Sequence, residues 1–374
     1  MVRKSVGIII NPIAGLGGRV GLKGSDGADI IDRAIALGGK PESPLRAGKA
    51  LEQLLEIKDE IDILTYGGNM GENVLSSLGF DTKLVGQPKS SVTTAEDTID
   101  AALAMKEAGV DLIVFAGGDG TARNVCESIG LSPPVVGIPA GVKIHSAVYA
   151  INPRNAGLAA KEFLTGKTRG LRESEVMDID EELFRQGIVN ARLYGYMITP
   201  DSRSRIQNMK SGGGSDAGDL AGMAGYIVVN MEPDTLYIIG PGSTTRCIMD
   251  DMGLPCTLLG VDIVQNNRIV ALDVTEGQLW ELLNDTDVNM KIVVTVIGGQ
   301  GYLFGRGNQQ LSPRIIRRVG QKNIIVAATA SKLIALSGQP LLVDTGDAVL
   351  DEELSGFIEV VIAFGQTSFY TVSC

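Results

Sequence analysis

The strongest constraint in this sequence is a repeated pattern. Short, largely apolar runs each end at a glycine-rich turn and are separated by stretches of helical periodicity. Ser5 to Ile10 ends at Asn11-Pro12 and the glycines of Ala14 to Gly18, and Ile61 to Thr65 ends at Tyr66-Gly67-Gly68-Asn69-Met70-Gly71. Val110 to Ala116 ends at Gly117-Gly118-Asp119-Gly120-Thr121, and Val135 to Ile138 ends at Pro139-Ala140-Gly141. An unbroken apolar run of this length reads as a strand covered on both faces. Strand, loop and helix in repetition predict a parallel, doubly wound α/β sheet. In such sheets ligands lie beyond the carboxyl ends of the strands, where these glycine loops fall.

The intervening segments read as helices. One carries Ala47, Ala50, Leu51, Leu54 and Leu55 on one face, and a short one spans Asn73 to Leu78 before a strand at Thr82 to Val85. Thr93 to Ala108 is the clearest. Thr93 with Glu96 has the form of a capping box, with Ile99, Ala102 and Leu103 turned inward and Gly109 closing the helix. A helix through Val125 and Ile129 follows the Gly-Gly-Asp-Gly-Thr loop, and Pro139-Ala140-Gly141 is expected to open another.

The pattern changes after about Asn155. Strands are predicted at Ala191 to Thr199, Gly225 to Asn230, Thr235 to Ile239, Leu258 to Gln265, Arg268 to Val274 and Lys291 to Ile297, with Ser211 to Gly222 as a surface loop. This reads as an α/β domain over 1–155 and a β-rich domain over 156–325, expected to be mainly antiparallel with few helices. A C-terminal stretch, 326–374, would supply strands that could return to the first domain.

Composition narrows the function classes. With 374 residues and 44% hydrophobic content the chain can bury two cores. A formal charge of -11 and the lack of any Lys/Arg-rich run argue against nucleic acid or anionic lipid as partner. No apolar stretch reaches the length of a spanning helix, which is about 20 residues. The sequence runs straight from Met1 into a strand pattern, so no signal peptide is expected. Cys126, Cys247, Cys256 and Cys374 lack metal or redox spacing and read as reduced thiols of a cytoplasmic protein.

Glycines let main-chain N–H groups approach a polyphosphate, and a helix start adds its positive end. A carboxylate in such a loop, Asp119, makes sense as a base toward an attacking hydroxyl or as a Mg²⁺ ligand; capping the helix is the plainer reading. The candidate phosphate-binding and ligand-binding residues are Asn11, Gly15, Gly17, Gly18, Gly67, Gly68, Met70, Gly117, Gly118, Gly120, Thr121, Asn124, Gly141, Lys143 and His145. His145 is the chain's one histidine. Farther along, Gly242, Ser243 and Thr244 form a second glycine turn, and Arg306 with Asn308 lies in Gly305-Arg306-Gly307-Asn308-Gln309-Gln310. Asp344 and Asp347 flank Thr345-Gly346, where turn chemistry is favoured over Mg²⁺ binding.

Gly117 to Thr121 after a buried strand, with Gly240-Pro241-Gly242-Ser243-Thr244-Thr245 in a β-rich region, resembles the NAD kinase family, related in fold to the diacylglycerol and sphingosine kinases. Asn11 to Gly18, Gly137 to Ala147, Gly298 to Gln310 and Leu342 to Asp347 extend the likeness to its acetoin-catabolism X-type branch. The resemblance implies an α/β domain followed by a β-rich domain, with the active site in the cleft between them and subunits assembled as a homo-oligomer. It implies a Mg²⁺-dependent kinase that moves the ATP γ-phosphoryl group to NAD, giving NADP. Asp119 would be the base that activates the ribose 2′-hydroxyl. Gly117, Gly118, Gly120 and Thr121 would contact phosphates, and Gly242, Ser243 and Thr244 would complete the pocket. The chain lacks a counterpart of the Asn-Glu pair that NAD kinases use on the nucleotide. A nucleotide-binding regulator with weak or no transfer is therefore the alternative, with a kinase for another small molecule beside it. The acidic charge and the lack of a membrane-binding helix weigh against a lipid substrate.

Overall fold

The computed structural model describes residues 3–22, 28–90, 92–141, 144–168, 170–179, 191–202, 206, 217–284, 286 and 288–374. By contacts the chain divides into two compact units: Met1–Gly17 with Gly24–Met209, and Gly18–Lys23 with Lys210–Cys374.

The first unit contains β1 (Lys4–Ile10), α1 (Ala28–Ala36), α2 (Ser43–Leu51), β2 (Ile61–Tyr66), α3 (Glu72–Ser77), β3 (Thr82–Gly86) and α4 (Ala95–Glu107). It continues through β4 (Leu112–Gly117), α5 (Asp119–Ile129), β5 (Val135–Pro139), α6 (Pro153–Leu164), β6 (Leu171–Ile179) and β7 (Ala191–Pro200). β1 to β5 form one sheet in the order β3-β2-β1-β4-β5, parallel throughout.

Why the strand sequences are apolar without a break is visible in the packing. Val6, Ile8 and Ile10 of β1, with Val114 and Ala116 of β4, meet Ala47, Ala50 and Leu51 of α2 and Ala156, Ala159 and Ala160 of α6. The alternate residues, Ile9, Ile113 and Phe115, meet Ala101, Ala102 and Met105 of α4 and Ala122, Val125 and Ile129 of α5 on the other face. Both faces are buried, so period-two alternation of polarity is lost. The strand order also has a reversal: from β1 the chain builds outward through β2 and β3, then returns to β1's other side with β4 and β5. Loops leaving β1 and β4 therefore diverge to opposite faces, which opens a crevice at their carboxyl ends.

The structure shifts several expectations. The box on α4 starts one residue later, with the Thr94 N–H donating to Asp97 Oδ2 at 2.7 Å, because Asp97 is buried and Glu96 is exposed. Leu103 is 38% exposed. The inward stripe is Thr98, Ala101, Ala102 and Met105, the spacing that keeps residues on one helical face. No helix opens at Pro139. The N–H groups of Ala140 and Gly141 both donate to Gly117 O at 2.9 Å, which ties this turn to the end of β4. The next helix, α6, begins at Pro153 behind Asn152, whose side chain accepts the Asn155 N–H at 2.8 Å.

The second unit's strands are β8 (Leu236–Ile239), β9 (Asp262–Gln265), β10 (Arg268–Ala271), β11 (Met290–Thr295), β12 (Tyr302–Phe304), β13 (Ile324–Ala327), β14 (Leu341–Val343), β15 (Gly356–Ala363) and β16 (Gln366–Ser373). They form one sheet ordered β10-β9-β8-β11-β13-β15-β16-β14-β12. The unit is strand-rich as expected, but its central run, β8-β11-β13-β15, is parallel and alternates with helices. The expected strand Gly225 to Asn230 lies in and just beyond the helix Ala217–Val229, where Met223, Ala224 and Ile227 face the core at helical spacing. Of the expected loop, 211–216 lie outside the described residues and 217–222 open that helix.

Two domain expectations also change. Residues 326–374 do not return to the first sheet. β13 continues the register of β11, with Val293 beside Ile325, and β15 and β16 follow it in the same sheet. The first unit does not end at 155, because β6 and β7 send Val176 and Met197 into the core of Phe115 and α5.

The second unit also takes in a short piece of N-terminal chain. Arg19 O accepts the Glu276 N–H at 3.1 Å, and a side-chain carbon on Gly18 would stand 3.2 Å from the Gln309 amide. Glu276 in turn accepts Ser312 Oγ at 2.6 Å and two Arg314 bonds at 2.5 Å. Burial pushes its carboxyl up, but those hydrogen bonds outweigh it and the net shift is downward.

The α2–α6 contact is tightest at Gly157, where an added Cβ would fall 2.0 Å from Ala50 O. Gly157→Ala improves local helix propensity but forces the two helices apart. A net loss of about 1–3 kcal/mol is expected from overpacking. Urea unfolding of the full chain checks it, and an unchanged midpoint would mean the helices can separate there without cost.

Candidate functional site

At the reversal of the first sheet, β4 ends in Gly117, and Gly118 runs extended (φ -117°, ψ -170°) into the first residue of α5, Asp119. Gly117 has no room for a side chain: a Cβ would lie 2.3 Å from Thr121 Oγ1. That hydroxyl accepts Asn11 Nδ2 at 3.0 Å, while the Asn11 N–H donates to Ala116 O at 2.9 Å. Asn11 and Thr121 thus bridge the carboxyl ends of β1 and β4. Tyr149 closes the floor. Its hydroxyl donates to Gly118 O at 2.5 Å, and its ring meets Phe115 edge-on at 5.4 Å.

Asp119 is more engaged than the sequence suggests. Its Oδ2 accepts the His145 N–H at 2.8 Å and lies 3.2 Å from His145 Nδ1. Its Oδ1 accepts the Ser146 N–H at 3.0 Å and Ser146 Oγ at 2.6 Å. The side chains of Asp119 and His145 are 10% and 5% exposed. Ser146 Oγ also accepts the Met177 N–H at 3.0 Å, and the Ala147 N–H donates to Glu175 O, so the carboxylate fixes the segment after β5 against β6. As the first residue of α5, Asp119 also offsets the positive end of that helix.

The structure brings Asn11, Gly117, Gly118, Asp119, Thr121, Gly141 and His145 together on this edge. Gly15 reaches it as well, since a Cβ on it would meet Ala140 O at 2.6 Å. Gly17 is in the loop after β1, Gly120 is the second residue of α5, and Asn124 lies one turn farther along that helix. Lys143 lies outside the described residues. The other expectations separate. Gly18 belongs with the second unit. At the end of β2 the Gly67 and Gly68 N–H groups are taken by Gly86 O (2.9 Å) and Glu72 Oε2 (2.7 Å). Met70 is a fully buried core residue beside Ile9 and Tyr66, so its side chain packs rather than binds.

In the second unit Gly242 precedes the helix Ser243–Asp251 at the end of β8, a second strand–glycine–helix turn. Thr244 is buried and accepts Lys332 Nζ at 2.6 Å, and Lys332 also donates to Thr295 Oγ1 and Val296 O at 3.3 Å. Asn308 closes its own loop, accepting the Gly305 N–H (3.1 Å) and donating to Leu303 O (2.7 Å). That leaves its amide a structural role. Arg306 is buried with its guanidinium 4.3 Å from the centre of the Tyr302 ring.

Sequence reading missed Lys332 and Arg46. Arg46 is buried in α2 and its Nε donates to Pro139 O at 2.5 Å, beneath the end of β5. Neither stands in a glycine motif; each reaches its edge from a helix distant in sequence.

The chemistry of the edge suits an anion with a close backbone approach: converging glycine turns and the start of α5, beside a carboxylate whose oxygens are met by chain donors. A protein-built Mg²⁺ cage does not fit. Among the described residues no group of three or more His, Cys, Asp and Glu side chains could hold a metal. Both oxygens of Asp119 already accept chain donors. Asp347 caps the helix Ala348–Leu354 and pairs with Arg317, whose hydrogen bond leads the causes that bring its carboxyl to about 2. The four cysteines are free, and burial pushes the thiols of Cys126, Cys247 and Cys256 up. Among the described residues no helix is long and apolar enough to cross a membrane.

Comparison with known proteins agrees with the geometry. The model of the ATP-NAD kinase N-terminal domain matches residues 6–168, and that of the ATP-NAD kinase C-terminal domain matches 234–372. No curated protein matches the sequence. Two solved structures of a protein assigned as a diacylglycerol kinase from Bacillus anthracis str. Sterne align at 17% and 16% identity. They cover 48% of this chain and 46% and 47% of theirs, with TM-scores of 0.25 and 0.22. The aligned part is thus about half the length of those proteins.

Ser146→Ala tests the bonds around Asp119. It removes a buried donor to a carboxylate and strands the Met177 N–H. A loss of about 1.5–3 kcal/mol is expected for a hydrogen bond to a charged group. Chemical denaturation of the full chain measures it, and a variant as stable as the parent would show that these bonds do not hold the segment.

Proposed function

The chain belongs to the ATP-NAD kinase family, and we propose that it transfers the γ-phosphoryl group of ATP to a hydroxyl of a nucleotide, with NAD as the acceptor and NADP as the product. The observation that carries this reading is the position of Gly117-Gly118-Asp119 at the strand-order reversal, between the end of β4 and the start of α5. Main-chain donors there suit the polyphosphate, and Asp119 stands where charge and protons must be handled. Transfer of this kind is catalysed mostly by positioning and neutralisation. Mg²⁺ would accompany ATP as its phosphate complex and supply charge neutralisation there. The same reading makes the protein a cytoplasmic homo-oligomer that acts on a nucleotide rather than on nucleic acid or lipid.

A second reading, a nucleotide-binding regulator with weak transfer, is favoured by one observation. A carboxylate has about four lone-pair sites, and four chain donors surround Asp119. Titration calorimetry with ADP, ATP and NAD, run beside mass-spectrometric detection of phosphorylated product, separates the two. Binding without product favours the regulator.

Asp119→Asn should lower turnover by about 100-fold or more, the range of proton-transfer catalysis, while nucleotide affinity stays within a few-fold. Turnover equal to the parent would take Asp119 out of the reaction.

A further inference from the structure

We propose that Lys332 is a positioning residue for one of the two nucleotides of the reaction: it sets the glycine turn after β8, where the phosphates of that nucleotide are held. This rests on the transfer reading above and adds a residue to its binding side.

The second unit has a strand-end crevice of its own. β8 and β11 lie side by side and parallel, with Ile239 beside Val293. Beyond β8 the chain enters the helix Ser243–Asp251, whose Ile248 and Met249 pack on the face of Tyr237, Ile239 and Val293. The next helices beyond β11 and β13 are Pro313–Val319 and Ala330–Ile334. They send Ile315, Ile316 and Leu333 to the opposite face, with Ile238, Ile292 and Val294. Neighbouring parallel strands whose connections part to opposite faces open a ligand crevice at their carboxyl ends.

Gly242 stands at this opening. Its φ is 138°, and a Cβ on it would meet Thr295 Cγ2 at 2.8 Å, so only glycine lets the turn come this close to the end of β11. Lys332 spans the opening from the other side. Its ammonium donates to Thr244 Oγ1 at 2.6 Å, beyond β8, and to Thr295 Oγ1 and Val296 O at 3.3 Å, at the end of β11. An ammonium carries three donors and no acceptor. Here it reaches three oxygens on two strand ends, and Thr295 meets both the lysine and the glycine. Thr244 is 1% exposed, so its hydroxyl meets the lysine rather than a ligand. What the bond fixes is the placement of Gly242 and Ser243 against the end of β11.

ADP and NAD affinities are measured by titration calorimetry on the full chain, beside urea unfolding, for the parent, Lys332→Met, Thr244→Val and the double variant. Lys332→Met should weaken binding of one of the two nucleotides by about tenfold or more, the scale of a lost bond to a charged group, and leave the other within about threefold. Thr244→Val should do the same with Lys332 in place. The double variant should bind no worse than the weaker single one, because the lysine acts through the threonine. Folded variants with both affinities within about threefold of the parent would overturn the proposal. So would an equal loss of both nucleotides, or a double variant whose loss is the product of the single ones. If Lys332→Met does not fold, Thr244→Val decides in its place. A parent that binds nucleotide but forms no phosphorylated product sinks the transfer reading and leaves the affinities to judge Lys332. A parent that binds neither ADP nor NAD overturns both.

Discussion

The carboxylate of Asp119 is the tie on which the edge of the first sheet depends. It begins α5, and through Ser146 and His145 it fixes the chain that leaves β5. Ser146 then passes the tie to β6 through Met177. Three stretches of backbone are thereby held by one acidic side chain. An acid buried in this way is costly unless its lone pairs are met. Here the donors are main-chain N–H groups and a hydroxyl, which fix its orientation without adding positive charge.

The His145 imidazole and the Ser146 donors meet this carboxylate on its two different oxygens. Tyr149 and Phe115 support the same edge from below. The Asn11–Thr121 bond keeps the loops of β1 and β4 in register across the crevice.

Much of the first unit was legible in the sequence because two-sided burial leaves a mark that needs no tertiary knowledge. β1 from Val6 on, β4 and β5 are continuous apolar runs that end where a glycine turn begins, and β2 is interrupted by the exposed Asp62. The elements misread were those whose character is set by partners far along the chain. Gly225 to Val229 is apolar enough for a strand, yet it is helical because Met223, Ala224 and Ile227 pack on Tyr237, Ile239 and Val264. The turn after Pro139 looked like a helix start, but Gly117 O captures its first two donors. At the site, the glycines and Asp119 announced themselves through motif and position. The engagement of Asp119 by Ser146 did not, since 26 or 27 residues separate Asp119 from its donors. Lys332 and Arg46 left no sequence signal at all.

The short excursion Gly18–Lys23 has a consequence for how this chain can be made and cut. Neither compact unit is a continuous stretch of polypeptide. Residues synthesised almost first are completed only when Glu276, Gln309 and Gln310 emerge, some 250 or more positions later by their numbering. A fragment starting at Lys210 would leave the Glu276 amide without the carbonyl of Arg19. One ending at Met209 would expose a ribbon shaped for neighbours it no longer has. The ribosome must therefore release nearly the whole chain before the later core can close, which makes this N-terminal ribbon a late-fastening clasp rather than an early nucleus.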